Sequence, residues 1–240
     1  MAPITLLNKG CLVARMGEDQ TKLDSVVPMD YIMDWFDKRI DSRVALDGVN
    51  DRVVVLLSKT GSGKSTSIAP NLYLRFFNRY KRNIIVTQPR QLTATEIPKD
   101  IAGIADYQKP NENGLTIELY RNLGYQTMEF AGKPEENGML FCTTGILLQF
   151  LKLLSSEDFC KRYKFVIVDE AHDVDLILLL MKRLIMSRLE TGAPFLILMS
   201  ATLNVEQYCQ YFGTKTVCDK ANRDFVCSHH RPANWRIAAI

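Results

Sequence analysis

From residue 53 onward, short β-branched or apolar runs alternate with segments long enough to be helices, and no other feature restricts the fold as much. The runs lie at 53–57, 84–87, 116–120, 139–142, 165–168 and 195–199. They read as continuous apolar stretches, as strands do when a parallel sheet is buried between two helical layers. The spacing predicts helices over 64–77, 91–104, 146–154 and 175–189, with one more over 205–212. The stretches 109–114 and 132–138, rich in Pro, Gly, Asn and Glu, read as surface loops. The expected fold class is α/β, a mainly parallel sheet with helices on both faces.

A length of 240 residues suits one large domain. We expect a leader over 1–24, the domain over 25–220 and the start of a linker over 221–240. The first fifty residues contain one amphipathic candidate helix at 31–40 and no strong strand. A net charge of +3 is too small to mark a nucleic-acid binder by its bulk field, so any such reading must come from motifs. The most apolar stretch, 176–181, is interrupted by Lys182 and Arg183. It falls far short of the ~20 residues of a membrane span, so no membrane partner is expected. Six cysteines without a Cys-x-x-Cys pair suit a reducing, intracellular compartment.

Directly after the first apolar run, Thr60, Gly61, Ser62, Gly63, Lys64, Ser65 and Thr66 place Gly-Lys-Ser where a strand turns into a helix. Glycines there let backbone amides converge on phosphate oxygens. Lys64 supplies charge to the β- and γ-phosphates, and the Ser65 hydroxyl suits Mg²⁺. ATP with Mg²⁺ is the expected cofactor pair. Ser58 stands where the full phosphate-loop pattern has its first glycine. The competing reading is a Gly/Ser-rich turn that happens to precede a helix.

The run 164–168 ends in Asp169 and Glu170, two carboxylates at the C-terminal end of a strand, where open α/β sheets bind their ligands. A cation offsets their repulsion. Ser65, Asp169 and Glu170 are therefore the expected metal residues. Glu170 is also the candidate base toward an attacking water, and Lys64, Asp169 and Glu170 form the expected catalytic set. An isolated Asp-Glu pair at a helix start could equally be a cap, but the phosphate loop upstream favours the catalytic reading.

Asp169-Glu170-Ala171-His172 and Ser200-Ala201-Thr202 resemble the DEAH and SAT motifs of the DEAH-box helicases of superfamily two. Thr87-Gln88-Pro89-Arg90-Gln91 is similar to that family's Q-P-R segment. Gly124-Tyr125-Gln126 and Thr143-Thr144-Gly145-Ile146-Leu147 resemble its G-Y-Q and T-D-G-x-L segments. The resemblance runs from about Val27 to Gly213. It implies a RecA-like P-loop NTPase domain, the first of two, that contacts single-stranded RNA, or DNA, at Arg90, Thr143 and Gly145. It also implies that His172, Ser200 and Thr202 couple ATP state to domain movement, and that travel runs 3′ to 5′.

Three positions depart from the family wording. Thr144 stands where Asp is usual, the usual Arg does not follow Gly-Tyr-Gln, and Asp173-Val174 replaces Glu-Arg. No Q-x-x-G-R-x-G-R motif occurs, so we expect a piece of a longer helicase whose second RecA-like domain is the partner supplying an arginine finger. The divergent wording and short leader suggest a large DNA virus as the source. A DNA-directed translocase and a nucleotide-gated binding module stay open as alternatives. Cys218, Cys227, His229 and His230 match no zinc spacing, Trp35 and Trp235 read as packing, and Lys161, Arg162 and Lys164 read as a solvated basic face.

Overall fold

Five of the six expected strands form where the apolar runs lie, and they set the frame of the molecule. The computed structural model describes residues 29, 32–34, 36–37, 52–58, 62–171, 174–188, 192–201, 208, 211–212 and 235–239. Its strands are β1 (Val53–Ser58), β2 (Asn83–Gln88), β3 (Leu123–Gln126), β4 (Ala131–Gly132), β5 (Met139–Thr143), β6 (Tyr163–Asp169), β7 (Phe195–Ser200) and β8 (Trp235–Ala239). The helices are α1 (Lys64–Tyr80), α2 (Gln91–Gly103), α3 (Ala105–Gln108), α4 (Thr144–Leu153), α5 (Ser156–Arg162) and α6 (Asp175–Ser187).

The strands form one eight-stranded sheet in the order β4-β3-β5-β2-β6-β7-β1-β8. All pairings from β3 to β1 are parallel, and only the outermost pairs, β3 with β4 and β1 with β8, are antiparallel. Successive strand residues face opposite layers. Val54 and Leu56 pack with Ile68, Leu72 and Phe76 of α1. Val53 and Val55 pack with Ile146 and Leu147 of α4 and Met181 and Ile185 of α6. Helices therefore cover both faces, as expected. Phe36, which lies within the candidate helix at 31–40, is fully buried and meets Phe165 and Phe195 edge-on at 5.5 and 5.4 Å. Among the described residues no helix is long and apolar enough to cross a membrane.

The sixth expected strand, 116–120, is a correction. The buried Asn122 accepts from the Glu118 N–H and donates to the Thr116 carbonyl, both at 2.9 Å. Its side chain thus takes the backbone groups that a neighbouring strand would have taken. Tyr120 adopts φ +67, which ends any extended run. The strand forms instead at Leu123–Gln126, where a Cβ on Gly124 would lie 2.3 Å from the Gly132 carbonyl oxygen. Only glycine admits that close approach of β4, which also lies partly inside the expected loop 132–138. Helices α3 and α5 and strand β8 were not anticipated either, and β8 falls within the stretch expected to start a linker. The leader 1–24, the expected metal-free cluster at 218–230 and Trp35 lie outside the described residues.

The basic run before β6 divides. Lys161 and Arg162 are exposed, but Lys164 is buried, with its ammonium 4.0 Å from the Tyr80 ring centre and 5.2 Å from that of Phe195. Burial, reinforced by the nearby Arg52 and Arg82, pushes its pKa down to about 7. The unfolded chain then holds this proton to higher pH than the folded one, so stability rises with pH between about 7 and 10. We expect Lys164→Met to flatten that rise. Urea unfolding of both proteins at pH 7 and pH 9.5 checks it, and parallel pH dependences would refute it.

Candidate nucleotide and strand site

The chain leaves β1 and enters α1 through Gly63, whose φ of +81 is a left-handed conformation that favours glycine. The turn is closed by the Thr66 N–H and hydroxyl, which both donate to the Gly63 carbonyl, at 3.2 and 3.1 Å. The first turn of α1 contains no acidic residue, and no side chain caps it. Apart from the Thr66 N–H, its first-turn amide donors are thus left for an anion. Ser62 and Lys64 are buried beside them. Thr60 and Gly61 lie outside the described residues.

Strand β6 delivers Asp169, 2% exposed, to the same edge. Its Oδ2 accepts from the Ser65 hydroxyl and, at 2.9 Å, from the Gln88 amide, while its Oδ1 accepts from the Glu170 N–H at 3.0 Å. The next residue, Glu170, takes φ +51, a strained conformation for a residue with a side chain. The Ala171 N–H holds the turn by donating to the Met199 carbonyl at 3.0 Å, and the Tyr208 hydroxyl donates to the Ala171 carbonyl at 2.6 Å. This geometry sets the Glu170 carboxylate 3.7 Å from the Lys64 ammonium. Ser200, fully buried, ends β7 in register with Leu57, next to the phosphate loop. His172 and Thr202 lie outside the described residues.

The donor set fits magnesium. A hydroxyl and a carboxylate in contact, with a second carboxylate adjacent, are the hard oxygen ligands Mg²⁺ takes alongside substrate phosphates.

The three expected strand-contact residues lie where β2 and β5 turn into the helices that follow them. Arg90 is exposed at the N-cap of α2, directly beyond β2, and Thr143 is the N-cap of α4, directly beyond β5. Gln88 and Thr143 are register partners across those neighbouring strands. Gly145 faces open space, since a Cβ there would meet nothing within 4 Å. A cavity of about 400 Å³ lined by Lys81, Asn83, Asn137, Leu154, Asp158, Lys161 and Arg162 lies at the opposite edge of the sheet and gathers none of these residues. The residue that motif reading passed over is Gln88. It served there only as the spelling of a segment, whereas its side chain reaches the Asp169 carboxylate.

The protein-family model for DEAD/DEAH box helicases matches residues 38–210. The chain belongs to the DEAD/DEAH box helicase family. Within it, this helicase domain is 33% identical over 233 residues to protein B962L of African swine fever virus, provisionally named an RNA helicase. That match covers 89% of the chain and 23% of the viral protein. The human ATP-dependent DNA/RNA helicase DHX36 is 30% identical over 172 residues, 68% of the chain and 16% of that protein. Zebrafish TDRD9, an ATP-dependent RNA helicase by name, is 32% identical over 170 residues, 69% of the chain and 12% of that protein. The helicase domain thus corresponds to less than a quarter of the length of each relative, and a viral protein stands among them.

Proposed function

We propose that this domain binds Mg-ATP at the C-terminal edge of its sheet and uses ATP hydrolysis to move on single-stranded RNA and unwind it, with DNA as a possible substrate. The observation that carries this reading is the meeting of Ser65, Asp169, Lys64 and Glu170 in one cluster, joined by hydrogen bonds at Asp169 and by the Lys64–Glu170 ion pair. Amides from 62–66 and the Lys64 ammonium hold the phosphates. Ser65 and Asp169 are positioned to hold Mg²⁺, which offsets phosphate charge when bound. Glu170 orients the attacking water and takes its proton, with its strained backbone aiming the carboxylate. Ser200 and, by resemblance, His172 and Thr202 pass the nucleotide state to a second RecA-like domain. That domain is the proposed source of an arginine finger worth ~10³–10⁵ in rate. The free, buried Cys142 and Cys160 support an intracellular, reducing setting.

ATP turnover by this domain, expected to be weak alone, and by a longer protein that contains the second RecA-like domain, each with and without single-stranded RNA or DNA, tests the reading in the longer protein. Stimulation by a strand supports a motor and shows which nucleic acid it prefers; one rate regardless of strand favours a nucleotide-gated binding module. The exposed Arg90 at the end of β2 and the open space at Gly145 beyond β5 favour contact with the sugar-phosphate chain. Strand affinity should then fall linearly with the logarithm of salt, with a slope of about −0.7 per phosphate neutralised. Arg90→Ala should make the slope shallower by about one such unit. Fluorescence anisotropy across a salt series measures both, and a flat wild-type response would remove the phosphate-contact assignment.

A further inference from the structure

Gln88 lies between the two halves of the proposed function. Its side chain is 3% exposed and donates to Asp169 Oδ2, the oxygen that also accepts from Ser65. On the opposite side, its backbone is in register with Thr143 of β5. Two residues further on is Arg90, and the Pro89 between them has a fixed φ that leaves the short connection little freedom. A buried amide in a close-packed interior cannot shift alone, so displacing the Pro89-Arg90 turn changes the aim of the amide at Asp169.

We propose that Gln88 is a positioning residue that couples strand binding to the metal site. This rests on the functional reading above and deepens it. An ionised carboxylate offers about four lone-pair sites. Ser65, Gln88 and the Glu170 N–H occupy three of those on Asp169. The Gln88 bond therefore determines which way the remaining site points, and that site is what Asp169 can offer a cation or its bound water. When a strand engages Arg90 and Thr143, the ends of β2 and β5 are drawn to one geometry, and Gln88 holds Asp169 in the matching orientation. By linkage the effect is reciprocal: whatever a strand does for Mg-nucleotide affinity, Mg-nucleotide does for strand affinity by the same factor.

The test is a coupling ratio measured by binding, without turnover. Affinity for a fluorescent non-hydrolysable ATP analogue is titrated with Mg²⁺, in the presence and absence of a saturating oligouridylate, for wild type and for Gln88→Met. Methionine keeps the volume and removes the donor. The wild-type ratio should be at least about fivefold, within the usual range of coupled sites, and the Gln88→Met ratio should fall to one while analogue and strand still bind singly. A merely structural Gln88 would lower the melting temperature and both affinities without moving the ratio, and a Gln88→Met protein with the wild-type ratio overturns the proposal. A wild-type ratio of one, with both ligands bound, also overturns it but leaves the functional reading standing. Failure of the wild type to bind nucleotide or strand overturns that reading, and this proposal with it. If circular dichroism shows Gln88→Met unfolded, Gln88→Leu replaces it with the same expectation, because leucine also carries no donor.

Discussion

Glu170→Gln should lower ATP turnover by about 10²–10⁴-fold, the usual contribution of a positioned general base, while leaving Mg-nucleotide affinity close to wild type. Glutamine matches glutamate in size but does not accept a proton from water at neutral pH. The backbone that aims the side chain is held by other groups: the Ala171 N–H on the Met199 carbonyl and the Tyr208 hydroxyl on the Ala171 carbonyl. The Glu170 N–H bond to Asp169 Oδ1 uses no side-chain atom of Glu170 and survives the change. The lost 3.7 Å pairing with Lys64 involves a carboxylate that is 31% exposed, so its structural cost is small. Single-turnover hydrolysis beside analogue titration separates the two quantities. Undiminished hydrolysis would strip Glu170 of its role as base, and lost binding would place it among the phosphate-holding residues.

Lys64→Ala should remove nucleotide binding. Lys64 is 4% exposed and reaches the cluster from the first residue of α1, where no acidic side chain competes with a phosphate in the first turn. A charge-assisted hydrogen bond contributes about 1.5–3 kcal/mol, or roughly 10- to 150-fold in affinity. An ammonium that spans two phosphates makes more than one. Its deletion also leaves Glu170 without its nearby positive charge, which adds repulsion toward the anion. Isothermal titration with a non-hydrolysable analogue measures the loss. An affinity unchanged from wild type would show that the turn at 62–66 holds no phosphate, and would return it to a Gly/Ser-rich connection.

The glycine turn into α1, the two carboxylates at a strand end and five of the six strands were legible because each depends on local order. Gly63 adopts its φ of +81 without the steric cost a side chain would add, and β-branched runs such as Val53–Ser58 suit a buried strand. Motif resemblance placed Arg90, Thr143 and Gly145 together, and the register of β2 with β5 sets the first two at adjoining strand ends. The short helix α5 is signalled by Ser155, whose hydroxyl accepts from the Asp158 N–H at 3.0 Å as an N-cap does. That signal is present in the sequence and was missed.

The remaining features required the tertiary structure. Asn122 diverts 116–120 from the sheet only because its amide reaches backbone groups on both sides of a turn. Gly124 looks like a strand breaker until Gly132 is folded against it. Lys164 reads as a surface charge beside Lys161 and Arg162, yet the neighbouring Tyr80 and Phe195 rings bury it. Gln88 has no distinctive local signature, and its partner Asp169 is 81 residues away in sequence. Sequence alone determined the conformations and chemistries that a few consecutive residues enforce. Which distant polar groups share a proton acceptor, and which charges lose their water, was decided by the packing of β2, β6 and β7 side by side, because hydrogen bonding and desolvation depend on distance in space.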